Sequence, residues 1–143
     1  MIYAPGELKA IANKGGNKIG EALVRTASKP TAIRLSPDRT KLAATGEDLS
    51  YVLVEALDNA DNPCPLADNL IHFTVEGPAE IAGVGNGNPL SIEPFQADQR
   101  HLFYGKAMVI IRALEKKNGD IHSTARAEGL KQASAFLHAS HRK

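Results

Sequence analysis

Tryptophan is absent from the 143 residues, cysteine occurs once, and tyrosine and phenylalanine together number seven. A single cysteine closes no disulfide within the chain, and no Cys or His spacing matches a zinc site. Lysine and arginine number 17 against 16 aspartate and glutamate. The broad basic field that phosphate-backbone or anionic-membrane binding depends on is therefore missing. No apolar run approaches the roughly 20 residues a membrane-crossing helix needs. Met1, Ile2, Tyr3, Ala4, Pro5 and Gly6 supply neither the basic start nor the apolar stretch of an export signal. What is present is 43% hydrophobic residues, near the globular mean and enough for one ordinary domain with a core.

Pro5-Gly6 leads at once into strand-like alternation, as if the chain began within a larger architecture. Leu8, Ala10 and Ala12 alternate with Lys9, Ile11 and Asn13, and a second extended run covers residues 18–26. Lys14-Gly15-Gly16-Asn17 between them predicts a β-hairpin. Through Lys29 the chain holds five basic and two acidic residues, and beyond it 12 and 14. The change of sign at Ser28-Lys29-Pro30 marks a boundary between residues 1–28 and 29–143. An isolated hairpin is marginal in water, so it is expected to pack either on the rest of the chain or on a preceding domain.

Strand signals then recur at short intervals. Residues 31–35 form a first strand, with a short continuation at 42–44. Residues 49–57 carry Val52, Val54 and Ala56 on one face, while Ser50 and Glu55 are expected to meet solvent. Residues 70–76 place Ile71, Phe73 and Val75 inward and His72 and Thr74 outward. Further strands are expected at 80–84, 107–111, 121–127 and 130–137, with a polar, frayed tail from His138 onward. Between Gly85 and Gly105 the pattern is lost, and such long irregular stretches are functional or docking loops. About seven strands without a helical period predict an all-β, immunoglobulin-like sandwich with an extra N-terminal hairpin. The Cys…Trp…Cys mark of antibody domains is absent, so the core is small aliphatic packing.

Three segments, LSYVLVEALD (49–58), ADNLIHFTVEGP (67–78) and IAGVGNGNP (81–89) with EPF (93–95), resemble the C-terminal immunoglobulin-like domain of bacterial family-2 glycoside hydrolases, the β-galactosidases above all. PGELKAIA (5–12), the hairpin and TASKP (26–30) resemble the closing strands of the preceding β-domain in those enzymes and the linker out of it. Two departures are Asn88, where aspartate is commoner, and Cys64, where a small or apolar residue is usual. The resemblance implies a non-catalytic accessory domain packing against other domains of its enzyme, and a periplasmic or extracellular setting. The catalytic glutamates of that family lie on a TIM barrel, and nothing here matches their motifs. Two alternatives are an invasin- or intimin-type spacer of a bacterial surface protein and a carbohydrate-binding module.

Candidate chemistry is sparse, and no catalytic residue, cofactor or metal ligand is assigned. Retaining glycoside hydrolysis needs two carboxyls about 5 to 5.5 Å apart. Glu55, Glu76, Glu115 and Glu128 read as solvated strand charges, leaving Glu80 and Glu93 beside the long loop. Gly83-Val84-Gly85-Asn86-Gly87 is not a dinucleotide fingerprint and precedes no helix, so its glycines point to special backbone angles. Asp58, Asp61, Asn62 and Asp68 form an acidic turn without the spacing of an EF-hand, and Asx-turn chemistry is the plainer reading. Cys64 lies between two prolines with no base nearby in sequence. Tyr51, Phe95, Phe103, Tyr104 and Phe136 are the aromatics expected at the surface. With Phe95, Phe103 and Tyr104 in the long loop, a docking surface is favoured over a flat sugar platform. The expected interdomain contact residues are Asn86, Asn88, Glu93, Phe95, Arg100 and Tyr104, with neither nucleic acid nor membrane as partner.

Overall fold

A computed structural model describes residues 4–141. Strands β1 (Glu7–Lys14) and β2 (Asn17–Arg25) form a two-stranded antiparallel sheet of their own. Gly15 and Gly16 both take positive φ, 58° and 81°, which matches the right-handed twist of the strands they join. Register separates the hairpin's faces. Leu8 opposes Val24 and Ala10 opposes Ala22 on one face. On the other, Glu7 pairs with Arg25, and Glu21 with Lys9 and Lys18. Every residue of both strands is exposed.

The remaining strands are β3 (Ala32–Pro37), β4 (Lys41–Ala43), β5 (Leu49–Leu57), β6 (Leu70–Glu76), β7 (Ala79–Gly85), β8 (Gln99–His101), β9 (Lys106–Ala113), β10 (Gly119–Arg126) and β11 (Ala133–Ser140). They make two sheets, ordered β4-β11-β10-β6-β8 and β3-β5-β9-β7. All pairings are antiparallel except β11 with β4. Val52, Val54, Val109 and Ile111 from one sheet meet Ile71, Phe73, Ile121 and Leu137 from the other. Among the described residues Phe73 is the one aromatic ring buried in this core, so small aliphatics fill it as expected.

Several boundaries differ from expectation. Residues 41–43 do not continue β3. They cross to the other sheet and pair parallel with β11, with Ala44 N–H donating to the Ser140 carbonyl. The last strand starts at Ala133 and runs to Ser140, so His138 belongs to a strand; residues 142 and 143 lie outside those described. Within the supposed irregular stretch, β8 adds an edge strand to β6.

Ser50 and Glu55 are buried rather than solvated. Ser50 Oγ donates to the Arg39 carbonyl at 2.8 Å. Glu55 does point outward by strand alternation, but Arg34 Nη2 at 2.7 Å and Lys106 Nζ at 3.6 Å flank it from β3 and β9. Their aliphatic stems cover the carboxylate from both sides.

Candidate interdomain contact surface

Strand directions bring the start of β3, the ends of β5 and β7 and the start of β9 to one end of the sandwich. The linker from the hairpin arrives at that same end. There Asp58 Oδ2 accepts the Ser28 N–H at 2.9 Å, while Oδ1 accepts the N–H groups of Ala60 and Asn62, each at 2.9 Å. The acidic turn is thus an Asx hub whose oxygens are taken by backbone donors, with Asp61 and Asp68 exposed beside it.

The Ser28 N–H first, then that of Asn62, hold the Asp58 carboxyl far below the usual carboxylate range, outweighing the opposing effect of burial. An acid depressed in the folded state contributes stability above its unfolded value, about 4, and loses it as pH falls through the lower folded value. The linker is therefore expected to stay latched through mild acid and to release only in strong acid. Following the Ser28 amide resonance from about pH 7 to 2 checks this, and a transition near the ordinary aspartate value would refute it.

Cys64 follows this hub, buried, with its Sγ 3.5 Å from the Ser28 carbonyl. Burial, then the Asp58 carboxylate, pushes its thiol up, which removes nucleophilic character. Its carbonyl lies where a side chain on Gly105 would sit. Gly105 (φ 74°) and Tyr104 (φ 49°) are the two central residues of a tight turn closed by Phe103 and Lys106. A bulky residue at positive φ is an outlier. Here it presents the Tyr104 ring to solvent, 69% exposed and edge-on to Phe103 with centroids 4.6 Å apart.

The loop proper, residues 86–98, is held by its own polar groups. Asn86 Nδ2 donates to the His101 carbonyl at 2.9 Å, and its Oδ1 accepts the Asn88 N–H at 3.0 Å. Asn88 Oδ1 accepts the Leu90 N–H. Val84 N–H reaches the Phe95 carbonyl and Phe73 N–H the Asp98 carbonyl, tying the loop to both sheets.

Arg100 corrects the expected contact set. It opposes Ile71 across β8 and β6, and alternation sends it into the sandwich, 1% exposed. Its Nη1 donates to the Glu93 carbonyl at 2.8 Å, its Nε lies 3.7 Å from Glu93 Oε2, and its guanidinium sits 5.1 Å from the centre of the Phe95 ring. It is the internal anchor of the loop, unavailable to a partner. Glu93 is drawn in with it. Burial raises that carboxyl, but the His101 ring at 2.8 Å, the His101 N–H and the Ser91 hydroxyl outweigh it and leave the group below its ordinary value.

Phe95 and Tyr104 are left on the outside, joined by Leu90 and Ile92 of the loop and Leu66 of the adjoining turn, Ile92 being 99% exposed. These three aliphatics escaped sequence reasoning, although PLSIEP (89–94) places Leu90 and Ile92 within a run otherwise lacking strand signals. Beside the loop, Leu53, Met108, Gly85, Asn86, Gly87 and Lys106 line an open apolar depression of about 270 Å³. Glu80 is held apart from Glu93 by its own pairing with Arg112 on the outer face of β7 and β9. Neither is a free acid or base.

Residues 33–135 match the model of glycoside hydrolase family 2 C-terminal domain 5. A β-galactosidase, BoGH2A, of Bacteroides ovatus is 50% identical over 131 residues, covering 92% of this chain and 15% of that protein. A solved glycosyl hydrolase family 2 member from Bacteroides cellulosilyticus superposes with a TM-score of 0.89 at 40% identity, over 98% of this chain and 18% of its own. A β-glycosidase from Bacteroides vulgatus gives 0.91 at 26% identity, over 95% and 18%. The chain thus spans less than a fifth of these relatives.

Proposed function

The chain belongs to the glycoside hydrolase family 2 C-terminal domain 5 family, and from that premise we propose that it is a non-catalytic domain of a β-galactosidase-like enzyme, docking through the end of the sandwich where the linker enters. One observation carries this reading: the exposed Leu66, Leu90, Ile92, Phe95 and Tyr104 lie at the same end as the Ser28–Asp58 latch. A preceding domain attached through that linker faces them directly. A rigid internal scaffold, Arg100 with Glu93 and the two asparagines, holds the apolar side chains outward at little entropic cost on docking. The depression floored by Leu53 and Met108 extends the surface. The hairpin belongs to the same reading. Its Leu8–Val24 face, exposed and uncharged, completes the sheet or core of the preceding β-domain.

The test compares the parent enzyme with this chain alone. Hydroxyl-radical footprinting is expected to show Phe95, Tyr104, Leu8 and Val24 modified in the isolated chain and protected in the parent. Tyr104→Ser with Ile92→Ser is expected to lower the parent's thermal midpoint while leaving that of the isolated chain within about 2 °C, since surface substitutions away from packed features cost little. Equal footprints in both contexts, or an unchanged parent, refute the docking assignment.

A further inference from the structure

The outer face of the β4-β11-β10-β6-β8 sheet has a character unlike the rest of the surface. Strand alternation turns Asp120 and His122 of β10 and Ser134, Phe136 and His138 of β11 outward. His122 stands directly opposite Phe136 in the antiparallel register. Their rings stack, with centroids 4.7 Å apart and planes within 5° of parallel. One face of the phenyl ring is therefore backed by imidazole. Because Phe136 is nonetheless 69% exposed, the exposure belongs to its other face and rim.

Polar groups flank that open ring on both sides. Ser134 and His138 lie two residues away in each direction, about 7 Å along the strand. His138 is oriented by Asp120 Oδ1, 2.7 Å from its Nδ1, and Lys41 of β4 stands opposite His138. The Ser134 hydroxyl lies 3.4 Å from that of Thr124. A stacking surface with a buttressed imidazole on one side, a hydroxyl on the other and an ammonium beyond suits a ligand with an apolar face and a rim of hydroxyls.

We infer that Phe136, backed by His122 and flanked by Ser134 and His138, is a binding site for a neutral pyranose sugar. Sugar C–H groups pack on the open phenyl face, as aromatic faces carry negative potential. The sugar hydroxyls exchange hydrogen bonds with the Ser134 hydroxyl and the His138 ring and accept from the Lys41 ammonium. A protein partner fits this face less well. Phe136 is its one large exposed apolar side chain among the described residues, whereas protein interfaces need a contiguous apolar centre. Charges of both signs, Asp120 and Lys41 among them, also disfavour a highly charged ligand. This assignment does not depend on the docking proposal, since the two surfaces share no residue.

The test is an NMR titration of the whole chain with methyl β-galactopyranoside, methyl β-glucopyranoside and lactose, each into the millimolar range. The expected result is saturable shifts of the Phe136 and His122 ring resonances and of the Ser134 and His138 amides with at least one of the three. Phe136→Ala, at an exposed position, is expected to keep the fold and to weaken binding about tenfold, whereas Phe136→Tyr retains it. Absence of saturable shifts with all three sugars overturns the site. So do shifts confined to residues 86–95, and so does a Phe136→Ala variant that binds as tightly as the parent.

Discussion

Gly105→Ala is expected to destabilise the domain by roughly 3 kcal/mol or more and to lower its thermal midpoint by about 10 °C. Two causes add. The residue sits at φ 74°, where an L side chain is strained by about 1 kcal/mol. Its new Cβ also collides with the Cys64 carbonyl, which is backbone and cannot swing aside. That carbonyl accepts the Ala67 N–H, and Gly105 itself donates to the Ala67 carbonyl, so the collision spreads into the turn that carries Leu66. Gly87 provides the control. It has nearly the same φ, 73°, but open space around it, so Gly87→Ala is expected to show the strain alone, about 1 kcal/mol. Thermal unfolding of both variants checks the pair. Equal losses at the two positions would show that backbone strain, rather than close approach to Cys64, decides the outcome.

Arg100→Met is expected to cost about 3 kcal/mol, because it leaves the Glu93 carbonyl without its buried donor and the Glu93 carboxylate without its guanidinium. The damage is expected to be local first. Val84 N–H and Phe73 N–H bond to the Phe95 and Asp98 carbonyls of the loop, so their hydrogen exchange is expected to accelerate more than that of Val54, which lies in the interior strand β5. Arg100→Lys rescues little, since a single ammonium cannot reproduce the planar fork. A loss below about 1 kcal/mol, or uniform exchange across both sheets, would show that the loop holds its shape without this anchor.

The two positions differ in how far the chain announces them. A glycine after an aromatic, before a resumed alternation, already suggests a turn. That it must approach Cys64, 41 residues earlier, depends on a pairing that no local pattern contains. Arg100 is harder still. Arginine on an irregular stretch reads as surface, and only the edge pairing of β8 with β6 reverses that by turning it inward opposite Ile71. The same logic hid Glu55, which alternation correctly assigns to the outer face but which Arg34 and Lys106, from two other strands, cover. Nor does any local pattern join His122 to Phe136. They are 14 positions apart in sequence, and one antiparallel register makes them a stacked pair.

By itself the sequence determined the all-β class, the hairpin with its Gly-Gly turn, the positions of most strands, the aliphatic core and the family. Each follows from local properties: a period of two along the strand, backbone angles open to glycine, and short motifs that hold their order along the chain. The tertiary structure alone decided that residues 41–43 cross to the second sheet, that Arg100 anchors the loop from inside, and that the linker and the loop's apolar side chains share one end. Those outcomes turn on which distant strands pair. Pairing sets what covers a charge, what compensates it and which rings meet, and those partners lie tens of residues away.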